Sequence, residues 1–342
     1  MFLNLAYFAS RSTRCPRYLP ALFVIVFSSG VLIGSVVQKY YGVSEDVRGV
    51  GAANIPARIS SRVIVPSSVI AEPGIPEEFL GRLSLFILAG QSNMSGRGDL
   101  PPKESIHPRI FVFGNDYRWK IAREPIDAAQ GQVDLVSEDK EAAFGPGLAF
   151  AMYLLKAKPD MAIGLIPCAK ASTSITEWQR NLSERSLYGS CLKRIRAATT
   201  MGAVAAMLFF QGESDALDPD RFSMRSPAAS SYAEKFDTFV GDLRKDISLP
   251  SMPVVSAQIG THKAPGDYVN WEIVKEQQRR IKLACAAMIT TDDLALADEV
   301  HFTTESYRLI GQRYADAFLQ LTAVSNGCDH HTLKTAIVRL AP

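Results

Sequence analysis

A serine follows directly after an apolar segment in the first third of this chain. Residues 83–88 read LSLFIL, and residues 89–98 continue as AGQSNMSGRG. A serine one or two residues past a buried strand, with glycines on either side, presents its hydroxyl at the rim of a sheet. The free backbone N–H groups of the next helical turn favour negative charge there. Ser92 is therefore a candidate nucleophile, although a turn or helix cap is the structural alternative and the G-x-S-x-G elbow is absent.

An aspartate and a histidine near the other end of the chain have a spacing that suits general-base catalysis. Residues 298–301 read DEVH, and a helical pattern begins shortly afterwards. An Asp three residues before a His lies on the same side of one turn. We expect the Asp298 carboxylate to hold the His301 ring through Nδ1–H, which leaves Nε2 free as a base.

A third polar segment, residues 210–215 with the sequence FQGESD, follows another apolar run. The side-chain amide of Gln211 is able to donate a hydrogen bond to a developing oxyanion. Glu213 is an alternative to Asp298 as the acid that orients the histidine. The structural alternative is that Gln211 and Glu213 satisfy backbone groups of the loop.

The elements that must position these residues alternate between apolar strand-like runs and helical patterns. The strand-like runs are residues 83–88, 110–113, 162–166, 203–210, 254–259 and 286–290. The helical patterns are residues 147–156, 186–200, 232–246, 269–283 and 305–321. Short apolar runs joined by helices predict an α/β fold, a three-layer α/β/α sandwich with a mainly parallel central sheet. Such sheets carry their active sites at the carboxyl ends of the strands.

These segments together resemble the signature blocks of a known esterase group. The resembling blocks are GQSNM at 90–94, FGPG at 144–147, IGLIPCA at 163–169, SITEW at 174–178, QGESD at 211–215 and DEVH at 298–301. Over residues 82–322 the chain resembles carbohydrate esterase family six and the sialate O-acetylesterase domain of the SGNH-hydrolase superfamily. The resemblance implies an SGNH-like fold and a serine esterase that needs neither a metal nor an organic cofactor.

The same resemblance implies a role for each site residue. Ser92 would be the nucleophile, His301 the base and Asp298 its orienting acid. The backbone N–H of Ser92 and the amide of Gln211 would form much of the oxyanion hole. The remaining residues expected on the oxyanion or substrate side are Gln91, Asn93, Ala171, Ser172 and Glu213.

One block departs from the pattern of the family. Members usually have Gly-Gly before Thr-Ser-Ile, whereas residues 171–175 here read ASTSI. A glycine lets the backbone N–H approach an oxyanion in an open conformation. Ala171 and Ser172 retain that N–H, so we expect activity with an altered pocket shape, and Lys170 is a candidate for altered selectivity.

The predicted reaction is removal of O-acetyl groups from a carbohydrate, either an acetylated polysaccharide or a sialic-acid-like sugar, through an acetyl-serine. One alternative is a membrane-anchored polysaccharide O-acetyltransferase that uses the same triad. Another is a non-catalytic glycan-binding module, which the presence of all three triad residues disfavours. The net charge of +2 and the absence of a Lys/Arg block give no indication of a nucleic-acid partner.

The N-terminal region predicts a membrane partner. Residues 19–37 form an uncharged run of 19 residues, which is about the length of a transmembrane helix. Arginines precede this run, so we expect residues 1–18 in the cytoplasm, a signal anchor at 19–38, a linker at 39–78, an exported periplasmic or extracellular esterase domain at 79–322 and a tail at 323–342. Secretion after cleavage of a signal peptide and a buried soluble helix are the alternatives.

The cysteines are compatible with an exported domain, but they do not establish that it is exported. Of the five, Cys15 lies before the apolar run, and the other four permit three disulfide pairings or remain free buried thiols. No cysteine or histidine cluster has the spacing of a structural metal site.

Overall fold

The computed structural model describes residues 74–103, 106–225, 227–324 and 328. The predicted cytoplasmic segment 1–18, the predicted anchor 19–38 and nearly all of the predicted linker lie outside these residues, as does most of the predicted tail. Within the described part of the chain, no helix combines the length and apolar character that crossing a bilayer requires.

The described residues form a seven-stranded sheet with helices on both faces. The strands are β1 (Leu83–Gly90), β2 (Ile110–Phe113), β3 (Trp119–Ile121), β4 (Ile163–Pro167), β5 (Gly202–Phe210), β6 (Val254–Ala257) and β7 (Ala286–Ile289). The helices are α1 (Ser92–Ser95), α2 (Pro146–Ala157), α3 (Leu187–Ala198), α4 (Tyr232–Asp246), α5 (Trp271–Arg280) and α6 (Thr304–Val324). Short 3₁₀ turns connect several of them.

The strand order in the sheet is β3-β2-β4-β1-β5-β6-β7. All neighbouring strands are parallel except β2 and β3. The predicted mainly parallel sheet is therefore confirmed for the described residues. The edge strand β3 was not predicted, because three residues that include a charged Lys120 give no apolar run.

The sheet is buried on both faces, as the unbroken apolar character of its strands predicts. In β1, Leu85 and Ile87 contribute to the core beneath α3, α4 and α5. The alternate residues Phe86 and Leu88 contribute to the core beneath α2 and α6. This arrangement is the predicted three-layer sandwich, and it holds the carboxyl ends of β1 and β5 side by side.

Gly90 allows β1 and β5 to end in close contact. Its φ is +134°, and a Cβ at this position would lie 2.1 Å from the carbonyl oxygen of Phe210. Any other residue would push the strand ends apart, so this glycine fixes where the chain leaves β1 and where Ser92 lies.

The four cysteines after the apolar run form two disulfides. Cys168, just past β4, pairs with Cys191 in α3. Cys285, just before β7, pairs with Cys328 beyond α6. This is one of the three pairings that the sequence leaves open.

Candidate active site

Three loops converge at the carboxyl edge of the sheet. Ser92 is the first residue of α1, immediately after β1. The segment that carries Gln211 and Glu213 follows β5, and the segment that carries Asp298 and His301 precedes α6. Parallel strands bring these segments together, although Ser92 and His301 are 209 residues apart.

Ser92, His301 and Asp298 form one hydrogen-bonded chain. The Nε2 atom of His301 lies 2.8 Å from the Oγ of Ser92. Its Nδ1 lies 2.7 Å from Oδ2 of Asp298. This is the geometry in which a carboxylate orients an imidazole so that its other nitrogen accepts the proton of a serine.

The surroundings of Asp298 keep its carboxylate ionised. Partial burial alone would raise the pKa of this carboxyl, but hydrogen bonds outweigh that effect and hold its pKa below the ordinary value. Oδ1 accepts the backbone N–H of Val300 at 3.0 Å and that of His301 at 2.8 Å, while Oδ2 faces the imidazole. The acid thus fixes both the ring and the turn that carries it.

Glu213, the alternative acid in the sequence analysis, lies near the histidine but does not hydrogen-bond to its ring. The side chain is buried, and its Oε1 accepts a hydrogen bond from Nδ2 of Asn93 at 2.5 Å. Its other carboxyl oxygen is buried and has no hydrogen-bond partner among the described residues. Burial raises the pKa of Glu213, and the Asn93 hydrogen bond opposes this only in part.

Asn93 is fully buried and contacts both loops of the triad. Its Nδ2 also donates to the carbonyl oxygen of Val300 at 3.0 Å. Its Oδ1 accepts a hydrogen bond from the hydroxyl of Tyr307 at 2.6 Å. Sequence reasoning missed Tyr307, because its position in α6 has the periodicity of an ordinary core residue.

Gln211 is fully buried, and its amide N–H groups are engaged by the protein. They donate to the carbonyl oxygen of Thr173 at 2.8 Å and to Oδ2 of Asp215 at 2.6 Å, and Oε1 of Gln91 lies at 3.2 Å. Burial raises the pKa of Asp215 to about 7, although the Gln211 hydrogen bond lowers it. The structure therefore brings Gln211 to the predicted edge but turns its amide toward a buried network.

Ser172 has a backbone conformation that favours glycine. Its φ is +59°, in the left-handed region, and its carbonyl oxygen accepts a hydrogen bond from Nη1 of Arg225 at 3.1 Å. The neighbouring Ala171 is partly exposed, and the amine of Lys170 donates to the carbonyl oxygen of Glu138. Lys170 is thus held by the protein, while Ser172 faces the pocket.

A cavity of about 270 Å³ opens onto Ser92 and His301. Its lining residues are Gln91, Ser92, Ser172, Glu213, Ser214, Leu217, Phe222, Arg225, Asp267, Tyr268, Glu299, Val300 and His301. The mixture of aromatic, hydroxyl and charged side chains suits a small polar substrate with hydrogen-bonding groups. No group of three or more His, Cys, Asp or Glu side chains able to hold a metal ion occurs among residues 74–103, 106–225 and 227–324.

Comparison with known proteins identifies the family. Residues 82–320 match the family described as carbohydrate esterase, sialic acid-specific acetylesterase. The chain belongs to this family. A relative from Arabidopsis thaliana, named as a probable carbohydrate esterase, is 34% identical over 254 residues, which are 69% of this chain and 90% of the relative. This chain is therefore a carboxylic ester hydrolase.

Solved structures agree with this assignment at the level of the fold. An Arabidopsis thaliana protein of known crystal structure is 32% identical in sequence to this chain, with a TM-score of 0.59. The match covers 72% of this chain and 99% of that protein. A carbohydrate acetylesterase from Xanthomonas citri is 18% identical with a TM-score of 0.52, over 71% of this chain and 57% of the other. The second likeness concerns the fold alone.

The role of Gln211 in this esterase stays a prediction that one variant tests. From its buried contacts we expect Gln211→Ala to lower the melting temperature by several degrees. The reason is that it removes the amide donor to the carbonyl oxygen of Thr173 and one of the two donors to Oδ2 of Asp215, which keeps the N–H of Ile175. A buried acceptor left unpaired costs about 1–3 kcal/mol. Melting temperature and kinetics on one preparation provide the test. A stable variant whose kcat falls about a hundred- to thousandfold would instead identify Gln211 as an oxyanion donor.

Proposed function

We propose that this esterase removes O-acetyl groups from a carbohydrate, with Ser92 as the nucleophile, His301 as the base and Asp298 as the orienting acid. The observation that carries the proposal is the unbroken chain of hydrogen bonds from Asp298 through His301 to Ser92, of which Ser92 and His301 line a cavity of about 270 Å³. Membership of the carbohydrate esterase family supports the substrate class.

The proposed reaction has two acyl-transfer steps. The Oγ of Ser92 attacks the acetyl carbonyl carbon while Nε2 of His301 takes the hydroxyl proton. The bond to the sugar oxygen then breaks, and that oxygen leaves with the proton from Nε2. Water repeats the sequence on the acetyl-serine, so that acetate is released and the proton returns to Ser92. Throughout, the Asp298 carboxylate stabilises the imidazolium that forms.

Backbone N–H groups are the proposed donors to the oxyanion. The N–H of Ser92 lies in the first turn of α1, where a helix has no internal acceptor for it. The second proposed donor is the N–H of Ser172, whose left-handed conformation supports this function in the way that a glycine would. The hydrogen bond from Arg225 to the Ser172 carbonyl helps to hold that conformation.

The direct test is acetate release by the purified full chain from a panel of acetylated glycans that includes polysaccharides and O-acetylated sialic acids. Ser92→Ala is the matched control. We expect acetate release from at least one glycan that depends on Ser92. Absence of release from all of them would contradict the proposal. Transfer of the acetyl group to an added glycan instead of water would favour the transferase alternative.

We also propose that the esterase domain is exported and stays attached to a membrane. The uncharged run at 19–37 with arginines before it supports this topology. The two disulfides fit an oxidising compartment. A reporter fused after residue 60 is expected to be active outside the cytoplasm and to sediment with membranes. Recovery of the fusion as a soluble cytoplasmic protein would contradict this topology.

A further inference from the structure

The catalytic hydrogen bond joins two separate loops, so its length depends on what holds those loops together. Ser92 is attached to the end of β1, whereas His301 lies in the segment that leads into α6. The His301 side chain is 22% exposed and the Asp298 side chain 54% exposed. Packing around these two side chains therefore contributes little to holding the histidine turn against the nucleophile turn.

Asn93, the residue next to the nucleophile, provides a direct connection. Its Nδ2 donates to the carbonyl oxygen of Val300, the residue next to the base, at 3.0 Å. One side chain thus joins the neighbour of Ser92 to the neighbour of His301. Asn93 is 0% exposed, so water does not compete for this hydrogen bond.

Two further side chains fix the orientation of that amide. Oε1 of Glu213 accepts the second hydrogen bond of Nδ2 at 2.5 Å, and the hydroxyl of Tyr307 donates to Oδ1 at 2.6 Å. A flipped amide would place an oxygen against two acceptors and an NH₂ group against the Tyr307 hydroxyl. Burial raises the pKa of Tyr307, so its hydroxyl remains a donor at neutral pH.

We infer that Asn93, Glu213 and Tyr307 form a positioning bridge that holds the base loop at the correct distance from the nucleophile. The bridge rests on the proposed function, because it acts on the Ser92–His301 pair. The bridge gives Glu213 a role other than orienting the imidazole. It also means that Tyr307 affects the reaction indirectly, by holding Asn93, which in turn holds Val300.

A positioning role predicts a loss of catalytic rate with little change in substrate binding. Displacement of a reacting group by about 1 Å can lower a rate by about a hundredfold, even when the mutated residue does not touch the substrate. Loosening the bridge should therefore slow every step that uses the Ser92 hydroxyl. Substrate binding in the cavity should change little in variants of Asn93 or Tyr307, because neither residue lines it, whereas Glu213 does.

The test compares Tyr307→Phe with Tyr314→Phe in the full chain. Both tyrosines lie in α6, both are 0% exposed, and each donates one buried hydrogen bond. Tyr314 donates to the carbonyl oxygen of Phe209 at 2.9 Å and has no link to Asn93 in the described structure. The control variant therefore carries a similar structural cost without affecting the bridge.

The main readout is the rate at which a fluorophosphonate labels Ser92, which needs no knowledge of the natural sugar. We expect labelling and kcat to fall about tenfold or more in Tyr307→Phe with KM within about twofold, and to stay within about twofold in Tyr314→Phe. Equal labelling rates in the two folded variants would overturn the bridge alone. A wild-type enzyme that is not labelled at Ser92 would overturn the proposed function as well.

Rates are normalised to the folded fraction, measured by near-UV circular dichroism. If Tyr307→Phe does not fold, Asn93→Ser replaces it, because this change removes the amide without adding a charge. The same comparison with Tyr314→Phe then applies. A folded Asn93→Ser variant with wild-type labelling would overturn the inference.

Discussion

Ser92→Ala is expected to lower turnover of acetyl esters by about three orders of magnitude or more while the protein stays folded, because triad residues act as a unit. His301→Ala should have a similar effect, and the double variant should be little worse than either single variant. The Ser92 hydroxyl contacts Nε2 of His301 at 2.8 Å, so its removal deletes the proposed nucleophile with a small change in packing. The measurement is kcat with a melting curve on the same sample.

Ser95→Ala is a matched control from the same short helix. The Ser95 hydroxyl donates to Oδ2 of Asp139 at 2.7 Å, accepts from Nη1 of Arg97 at 3.1 Å and lies 3.3 Å from the carbonyl oxygen of Ser92. We expect this variant to retain more than about a tenth of the activity even if its melting temperature falls, since it loses the hydrogen bonds of one hydroxyl but no reacting group. A Ser92→Ala enzyme as active as the Ser95→Ala enzyme would remove Ser92 from the mechanism.

Asp298→Asn is expected to lower kcat by a factor on the order of 10²–10⁴, whereas Glu213→Gln should retain more than about a tenth of the activity. The physical reason is the 2.7 Å contact between Oδ2 of Asp298 and Nδ1 of His301. An amide there favours the wrong tautomer of the ring and does not stabilise the imidazolium. A glutamine at position 213 keeps an oxygen that is able to accept the hydrogen bond from Asn93.

Kinetics of the two variants at neutral pH, normalised to the folded fraction, distinguish the two carboxyl groups. Near-normal turnover in Asp298→Asn together with loss of activity in Glu213→Gln would show that Glu213 is the essential acid. A strong loss in both variants would mean that the carboxyl group of Glu213 contributes beyond its contact with Asn93.

The sequence by itself determined the layers of the fold and the segments that carry the chemistry. Runs such as residues 83–88 are apolar at every position or nearly so, and burial on both faces of a parallel sheet is the arrangement that suits such runs. Once the sheet is parallel, the ends of β1 and β5 meet at one edge, and Ser92 and Gln211 are brought to it. The spacing of Asp298 and His301 is local, so a single turn is enough to place the carboxylate beside the ring.

Only the tertiary structure decided which contacts the remaining polar residues make. The sequence offered two candidate acids, and the fold places Asp298 against the imidazole while Glu213 reaches Asn93. It also turns the Gln211 amide toward Thr173 and selects one pairing of the four cysteines. The hydrogen bonds from Gln211 to Thr173, from Asn93 to Glu213 and from Tyr307 to Asn93 join residues separated by 38, 120 and 214 positions. Their partners depend on the packing of loops and helices at one sheet edge, which neither periodicity nor local spacing encodes.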